Sequence, residues 1–122
     1  MKERFSVHPV LPVTDMKRAL DFWQRLGFSV DFVDRQPPEH ADYAGVRRGD
    51  LVLHLQTFTA EQRSYTQTMA LRIETDAVET LYAEWKDLGV ITAPLEKKPW
   101  GNYEFGFYDP DNSPFFFYRE IG

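Results

Sequence analysis

The sequence predicts an α+β fold made of two βαβββ modules, each a four-stranded sheet carrying one helix. Three observations predict it. A helix signature with a Thr-Asp start, an apolar stripe and a Leu-Gly end occurs twice, at Thr14-Asp15 to Leu26-Gly27 and at Thr75-Asp76 to Leu88-Gly89. The second copy follows the first by 61 to 62 residues, half of the 122-residue chain. Each copy has one strand-like segment before it and three after it, divided by turn residues.

In chain order, "FSVHPVLPV" (5–13) is the first strand. In the first helix a Thr or Asp oxygen caps the free N–H groups and Gly27 takes the left-handed position after the end. Met16, Ala19, Leu20, Trp23 and Leu26 share one of its faces. "FSVDFVD", "YAGVRR" and "LVLHLQ" follow as strands, the last two joined by a turn at Arg48-Gly49-Asp50. "TFTAEQRSY" (57–65) is a connection. The second module opens with "TQTMALRIE", and its helix stripe is Val78, Leu81, Tyr82, Trp85 and Leu88. "VITAPLE", "NYEFGFYD" and "PFFFYRE" complete it, with a turn at Asp109-Pro110-Asp111-Asn112. The expected organisation is a first module at 1–57, a linker at 58–66 and a second module at 67–122, forming a single compact domain in total.

Composition narrows the function. With 43% hydrophobic and 27% charged residues the chain is that of a globular protein, and no run reaches the roughly 20 apolar residues that span a bilayer. The start "MKERFSVHPV" shows no apolar signal region, so a cytoplasmic location is expected. The absence of cysteine excludes disulfides, thiolate metal sites and cysteine nucleophiles. A net charge of -5 disfavours nucleic acid as a partner and mildly favours a cationic small molecule. No serine lies in a G-x-S-x-G elbow, and there is no Gly-rich phosphate loop. Asp109 and Asp111 are a carboxylate pair in a turn, where capping their own backbone accounts for them.

A sheet with one helix has one uncovered face, which must find a ligand, a partner or a sister sheet, and two such sheets can curl into a cup. The tandem βαβββ plan, the "TD…FW…LGF" helix and the "YDPDN" hairpin resemble the vicinal oxygen chelate superfamily of glyoxalase, bleomycin resistance and extradiol dioxygenase proteins, over the whole chain. The resemblance implies metal-ligand positions on the first and last strands of each module, facing the cup. Alternation puts Val7, Leu11 and Val13 toward the helix and His8 and Val10 toward the cup, while His54 shares a face with Val52 and Gln56. His8 and His54 match the first-module ligand positions. Their second-module counterparts are Thr68, favoured over Met69 by alternation, and Phe116. Thr is a poor neutral ligand and Phe has no donor, so the set is incomplete and no catalytic residue is assigned. His8 and His54 are then polar cup residues; the alternative is a metal-dependent glyoxalase- or dioxygenase-like enzyme binding Fe, Zn, Mn or Ni through them.

The aromatic-rich stretch 97–120 divides by alternation. Phe116 and Tyr118 point with the cup, whereas Phe115 and Phe117 are core. Phe105 and Phe107 share a face that alternation alone does not assign. Trp100, between Pro99 and Gly101, lies just ahead of a strand, either stacking on a planar ligand or covering the core. "PWG" followed by "EF…DP", "GFSVDFVD…ADYAGVRRGDLVLHL" and "LYAEW" resemble the bleomycin resistance branch. That branch implies a homodimer sequestering a planar, cationic glycopeptide antibiotic in crevices between subunits, without catalysis or cofactor. Its crevice aromatics map onto Trp100 and Phe32. Asp34, Glu39 and Asp42 in "DRQPPEHAD" add acidic charge at the rim, and Arg47-Arg48 add positive charge nearby. The expected ligand-binding set is Trp100, Phe32, His8, His54, Phe116, Tyr118 and Thr68.

Overall fold

The computed structural model describes residue 3, residues 5–66 and residues 70–121. They fall into two compact units, Met1–Thr66 and Gln67–Gly122. The first contains β1 (Val10–Val13), α1 (Met16–Arg25), β2 (Ser29–Val33), β3 (Tyr43–Arg48), β4 (Leu51–Thr57) and the short helix α2 (Ala60–Ser64). The second contains β5 (Leu71–Glu74), α3 (Val78–Trp85), β6 (Ile91–Lys97), β7 (Asn102–Tyr108) and β8 (Pro114–Glu120). The sheet orders are β1-β4-β3-β2 and β5-β8-β7-β6. In each, the first strand pairs parallel with the last and the other pairs are antiparallel. The sequence repeat is thus a structural repeat.

Each helix buries its apolar stripe on its own sheet. Asp15 caps α1 by accepting from the Arg18 N–H at 3.1 Å, and Gly27 closes it at φ 85. Met16, Ala19, Leu20, Trp23 and Leu26 are all buried, as are Leu53 and Leu55 on β4. In the second unit Trp85 lies edge-on to Phe105, Phe107 and Phe117, with ring centroids 5.9, 5.9 and 5.3 Å away. Phe105 stacks on Phe117, and Phe107 stacks on Phe115. Phe105 and Phe107 therefore belong to the helix-facing side. Much of the aromatic wealth of the last strands is core, each large ring contributing about 1.5–3 kcal/mol by leaving water.

Several details differ from the sequence expectation. The first paired strand begins at Val10, not Phe5, and Val7 is exposed instead of facing the helix. Pro9 has no N–H for the ladder, although its carbonyl still accepts from His54 N at 2.9 Å. The connection 57–65 contains α2, started by a capping box between Thr59 and Gln62. At the second helix the Thr75 hydroxyl, not Asp76, accepts a hydrogen bond, from the Ala77 N–H at 3.1 Å. This helix ends in a 3-10 turn, Lys86–Leu88, before Gly89 at φ 76. Asp109 does cap its own turn: Oδ1 accepts from Asp111 N at 3.0 Å and Ser113 N at 2.8 Å.

Candidate functional site

The sheet face away from α1 carries the first group of candidate residues. Strand register sets Val10, His54, Gly45 and Phe32 side by side across β1, β4, β3 and β2. The Phe32 ring lies flat across Gly45: a Cβ there would stand 2.3 Å from Phe32 Cε1. Phe32 stacks with Tyr43 at 6.0 Å and 14°, and meets His54 edge-on at 5.5 Å. The Tyr43 hydroxyl and His54 Nδ1 share a hydrogen bond of 2.8 Å. His8 meets His54 edge-on at 5.2 Å. The structure thus gathers three expected residues, His8, Phe32 and His54, and adds Tyr43. Phe32 remains 41% exposed, so its ring is available from solvent.

The nearby charges are engaged. Arg47 Nε donates to Asp31 Oδ2 at 3.0 Å, and Arg48 Nη1 donates to the Leu26 carbonyl at 2.7 Å, covering the end of α1. In the acidic loop, Asp34 Oδ1 accepts from the Asp42 N–H at 2.9 Å.

In the second unit the equivalent row is Arg72, Phe116, Gly106 and Ala93. Phe116 lies against Gly106, where a Cβ would come within 2.9 Å of Phe116 Cδ1. The next row sets Glu74, Tyr118 and Glu104 side by side. Glu104 is buried and accepts from Arg72 Nη1 at 2.8 Å; the Arg72 guanidinium lies 4.4 Å from the Tyr118 ring centroid. Trp100 stands in the loop before β7 and is 61% exposed, so it does not cover the core. Phe116 and Tyr118 occupy the helix-free face as expected, half-buried. Thr68 lies outside the described residues.

Among the described residues these donors make an incomplete set for a divalent metal. The open face of the first sheet offers two imidazoles, His8 and His54, and His54 Nδ1 is bonded to Tyr43, leaving Nε2 as its ligating atom. The position equivalent to His54 is Phe116, and the buried carboxylate near it, Glu104, is paired with Arg72. Among the described residues no three His, Asp or Glu are grouped so as to hold an ion.

With the βαβββ repeat and the two helix-free faces established, comparison with known proteins becomes decisive. The sequence profile of the Glyoxalase/Bleomycin resistance protein/Dioxygenase superfamily matches residues 6–117. The chain belongs to this superfamily. A bleomycin resistance protein of Geobacillus stearothermophilus is 26% identical over 93% of this chain and 95% of its own length. The structure of a bleomycin resistance determinant encoded on transposon Tn5 superposes with a TM-score of 0.77 at 22% identity, covering 96% of this chain and 98% of that one. The bleomycin-binding protein of Streptomyces verticillus, solved with copper(II)-bleomycin, superposes with a TM-score of 0.73 at 29% identity over 100% and 99% of the two chains. The α+β fold and the superfamily resemblance are both as the sequence predicted.

Sequence reasoning did not single out Tyr43, Gly45, Gly106 or Arg72. A glycine inside a strand marks a close approach, and Gly45 and Gly106 fall 61 residues apart within the repeat. That spacing was the available signal. Arg72 and Glu104 carried none, because their pairing depends on strand register.

Proposed function

We propose that this superfamily member is a non-catalytic binding protein of the bleomycin resistance type, which sequesters a planar, cationic glycopeptide antibiotic or similar small molecule. The observation that carries the reading is the placement of the aromatics. Trp23, Trp85, Phe105, Phe107, Phe115 and Phe117 are sunk in the cores, whereas Phe32 and Trp100, like Phe5, Tyr65 and Tyr108, stay exposed; of these, Phe32 and Trp100 stand at the positions that the resemblance implies for crevice aromatics. An exposed ring offers a flat apolar surface on which a planar ligand can stack. In this reading Phe32 in the first unit and Trp100 in the second each offer a stacking ring, and His8, His54, Phe116 and Tyr118 contribute further contacts to the ligand. The overall negative charge favours its cationic part. The protein acts as a cytoplasmic homodimer, the second copy pairing with strand edges that each open sheet leaves and the ligand lying in crevices between the copies. Similarity to bleomycin resistance proteins supports the ligand class.

Fluorescence tests it cleanly, because Trp23 and Trp85 are fully buried and only Trp100 is open to a quencher. Titration with bleomycin is expected to quench saturably at one ligand per chain. Trp100→Ala should abolish the signal, and Phe32→Ala should weaken affinity at least about tenfold, the scale of losing one well-packed aromatic contact. Mass spectrometry should recover the drug unchanged. Absence of saturable binding, or a chemically altered drug, refutes the proposal.

A further inference from the structure

Arg72 occupies the place that Val10 holds in the first unit, beside Phe116 on the β5–β8 ladder. Its side chain does not stay in that row. It leans forward until the guanidinium carbon is 4.4 Å from the centroid of the Tyr118 ring. Nη1 donates to Glu104 Oε1 at 2.8 Å. The Asn102 amide, its oxygen turned to Arg72 to satisfy the network, accepts from Nη2 at 2.9 Å. Asn102 in turn donates to Glu120 Oε2 at 3.0 Å and to the Gly101 carbonyl at 3.2 Å, next to Trp100. One planar cation is therefore supplied by β5, supported by a ring of β8 and gripped in place from β7.

We infer that Arg72, with Tyr118 and Phe116, forms a stacking platform on the helix-free face of the second sheet that accepts an uncharged planar conjugated ring and rejects a cationic one. Three features carry this. The Arg72 side chain is 42% exposed while its partner Glu104 is only 6% exposed, so the cation, not the carboxylate, meets an incoming ligand. Two of its five N–H groups donate, one to Glu104 and one to Asn102, and these bonds fix the guanidinium plane with one flat side against Tyr118 and the other turned away from it. A guanidinium is weakly hydrated and attracts the face of an electron-rich ring. A ring bearing positive charge would be set against like charge and lose that attraction. Phe116, held against Gly106 in the neighbouring row, extends the platform with a second flat group. The inference deepens the proposed function by fixing the charge of the ligand's planar part: neutral over Arg72, with any cationic tail elsewhere.

Two probes of equal size and opposite character test it: neutral 1-methylquinolin-2-one and the cation 1-methylquinolinium, titrated by ligand-observed NMR. The intact protein is expected to bind the neutral ring about tenfold more tightly. Arg72→Lys keeps a positive partner for Glu104 but removes the flat surface; neutral-ring affinity should fall about fivefold. The double variant Arg72→Met with Glu104→Gln removes both charges, leaving no unpaired buried carboxylate, and should bring the two probes to within about twofold of each other. Thermal melting confirms that each variant is folded. Equal affinities for the two probes in the intact protein, no binding of either, or a preference unchanged in the double variant overturns the inference. Bleomycin titration in parallel separates the two readings: saturable bleomycin binding with no probe discrimination sinks the platform alone, whereas probe discrimination without bleomycin binding sinks the antibiotic assignment alone.

Discussion

The two glycines under the open-face rings make different demands, and a pair of double-mutant cycles can separate them. In Gly45→Ala the new Cβ would stand 2.3 Å from Phe32 Cε1 and 2.9 Å from Cδ1, with only atoms of that ring among its closest neighbours. The ring must swing away, losing its stack with Tyr43 and its edge-on contact with His54. Aromatic pairs contribute about 0.5–1.5 kcal/mol each, and Phe32 is 41% exposed, so the lower half of that range applies. The loss is about 1–2 kcal/mol, and the lower chain entropy of alanine offsets about 0.4–1 kcal/mol. The net cost is about 0.5–1 kcal/mol, or about 2–4 °C in Tm. In a Phe32→Leu background the ring is gone, and Gly45→Ala should become neutral or stabilising. Gly106→Ala meets Phe116 Cδ1 at 2.9 Å but also the Phe115 backbone oxygen at 3.0 Å. A ring can yield; the β8 backbone cannot move without disturbing its ladder with β7. Its cost, about 1–3 kcal/mol, should persist in a Phe116→Leu background. Urea unfolding with a constant m-value measures all four corners of each cycle. A Gly45→Ala penalty independent of Phe32, or a Gly106→Ala penalty that vanishes with the Phe116 ring, would refute the reasoning.

Trp85→Ala empties the centre of the second core, where four phenylalanines gather, and should cost about 3–5 kcal/mol by chemical denaturation. Asp109→Ala removes the acceptor of two N–H groups in a part-buried turn; a loss of about 1–2 kcal/mol is expected, read from the melting curve. Arg119 Nε donates to both Glu79 oxygens at 2.7 and 2.9 Å, and this hydrogen bond holds the Glu79 carboxyl below its ordinary range. With the folded-state value depressed, the bond's stabilisation is complete above the ordinary value of 4.5 and disappears as pH falls through the lower folded one. The stability gap between the intact protein and Arg119→Gln should therefore close in acid, a pH series of unfolding curves being the check.

The fold was legible because two periodicities and two kinds of punctuation agreed. Met16, Ala19, Leu20, Trp23 and Leu26 of the first stripe and Val78, Leu81 and Trp85 of the second are buried, and the strands after each helix fall within one or two residues of their predicted bounds. What failed did so for local reasons. Pro9 interrupts a segment whose pattern otherwise reads as strand, and the Thr59-to-Gln62 capping box was a helix start hidden inside a polar connection. The site was half legible. Alternation placed His54, Phe116 and Tyr118 on the open faces, because a side chain's face needs only its own strand's phase. The Tyr43–His54 bond and the Arg72–Glu104 pair join different strands, and such partners depend on register, which single-strand patterns do not carry.

The repeat also shows where function is written. Helix-facing positions 62 residues apart hold Trp23 and Trp85, Leu26 and Leu88, Leu53 and Phe115, Leu55 and Phe117: apolar every time, because a close-packed core accepts only another apolar group of similar size. Open-face positions 61 or 62 apart hold Val10 and Arg72, Tyr43 and Glu104, His54 and Phe116, Gln56 and Tyr118. Each of these pairs changes chemical class. Freedom from core packing permits such change but does not organise it, and an idle surface would present long, solvated side chains. Instead each open face keeps a ring against a strand glycine and builds one specific polar pair beside it, tyrosine with histidine in the first unit and arginine with glutamate in the second. Ordering those side chains costs conformational entropy that the core does not need spent. The two faces are thus ordered platforms of different polarity, one built on a tyrosine–histidine bond and the other on an arginine–glutamate pair.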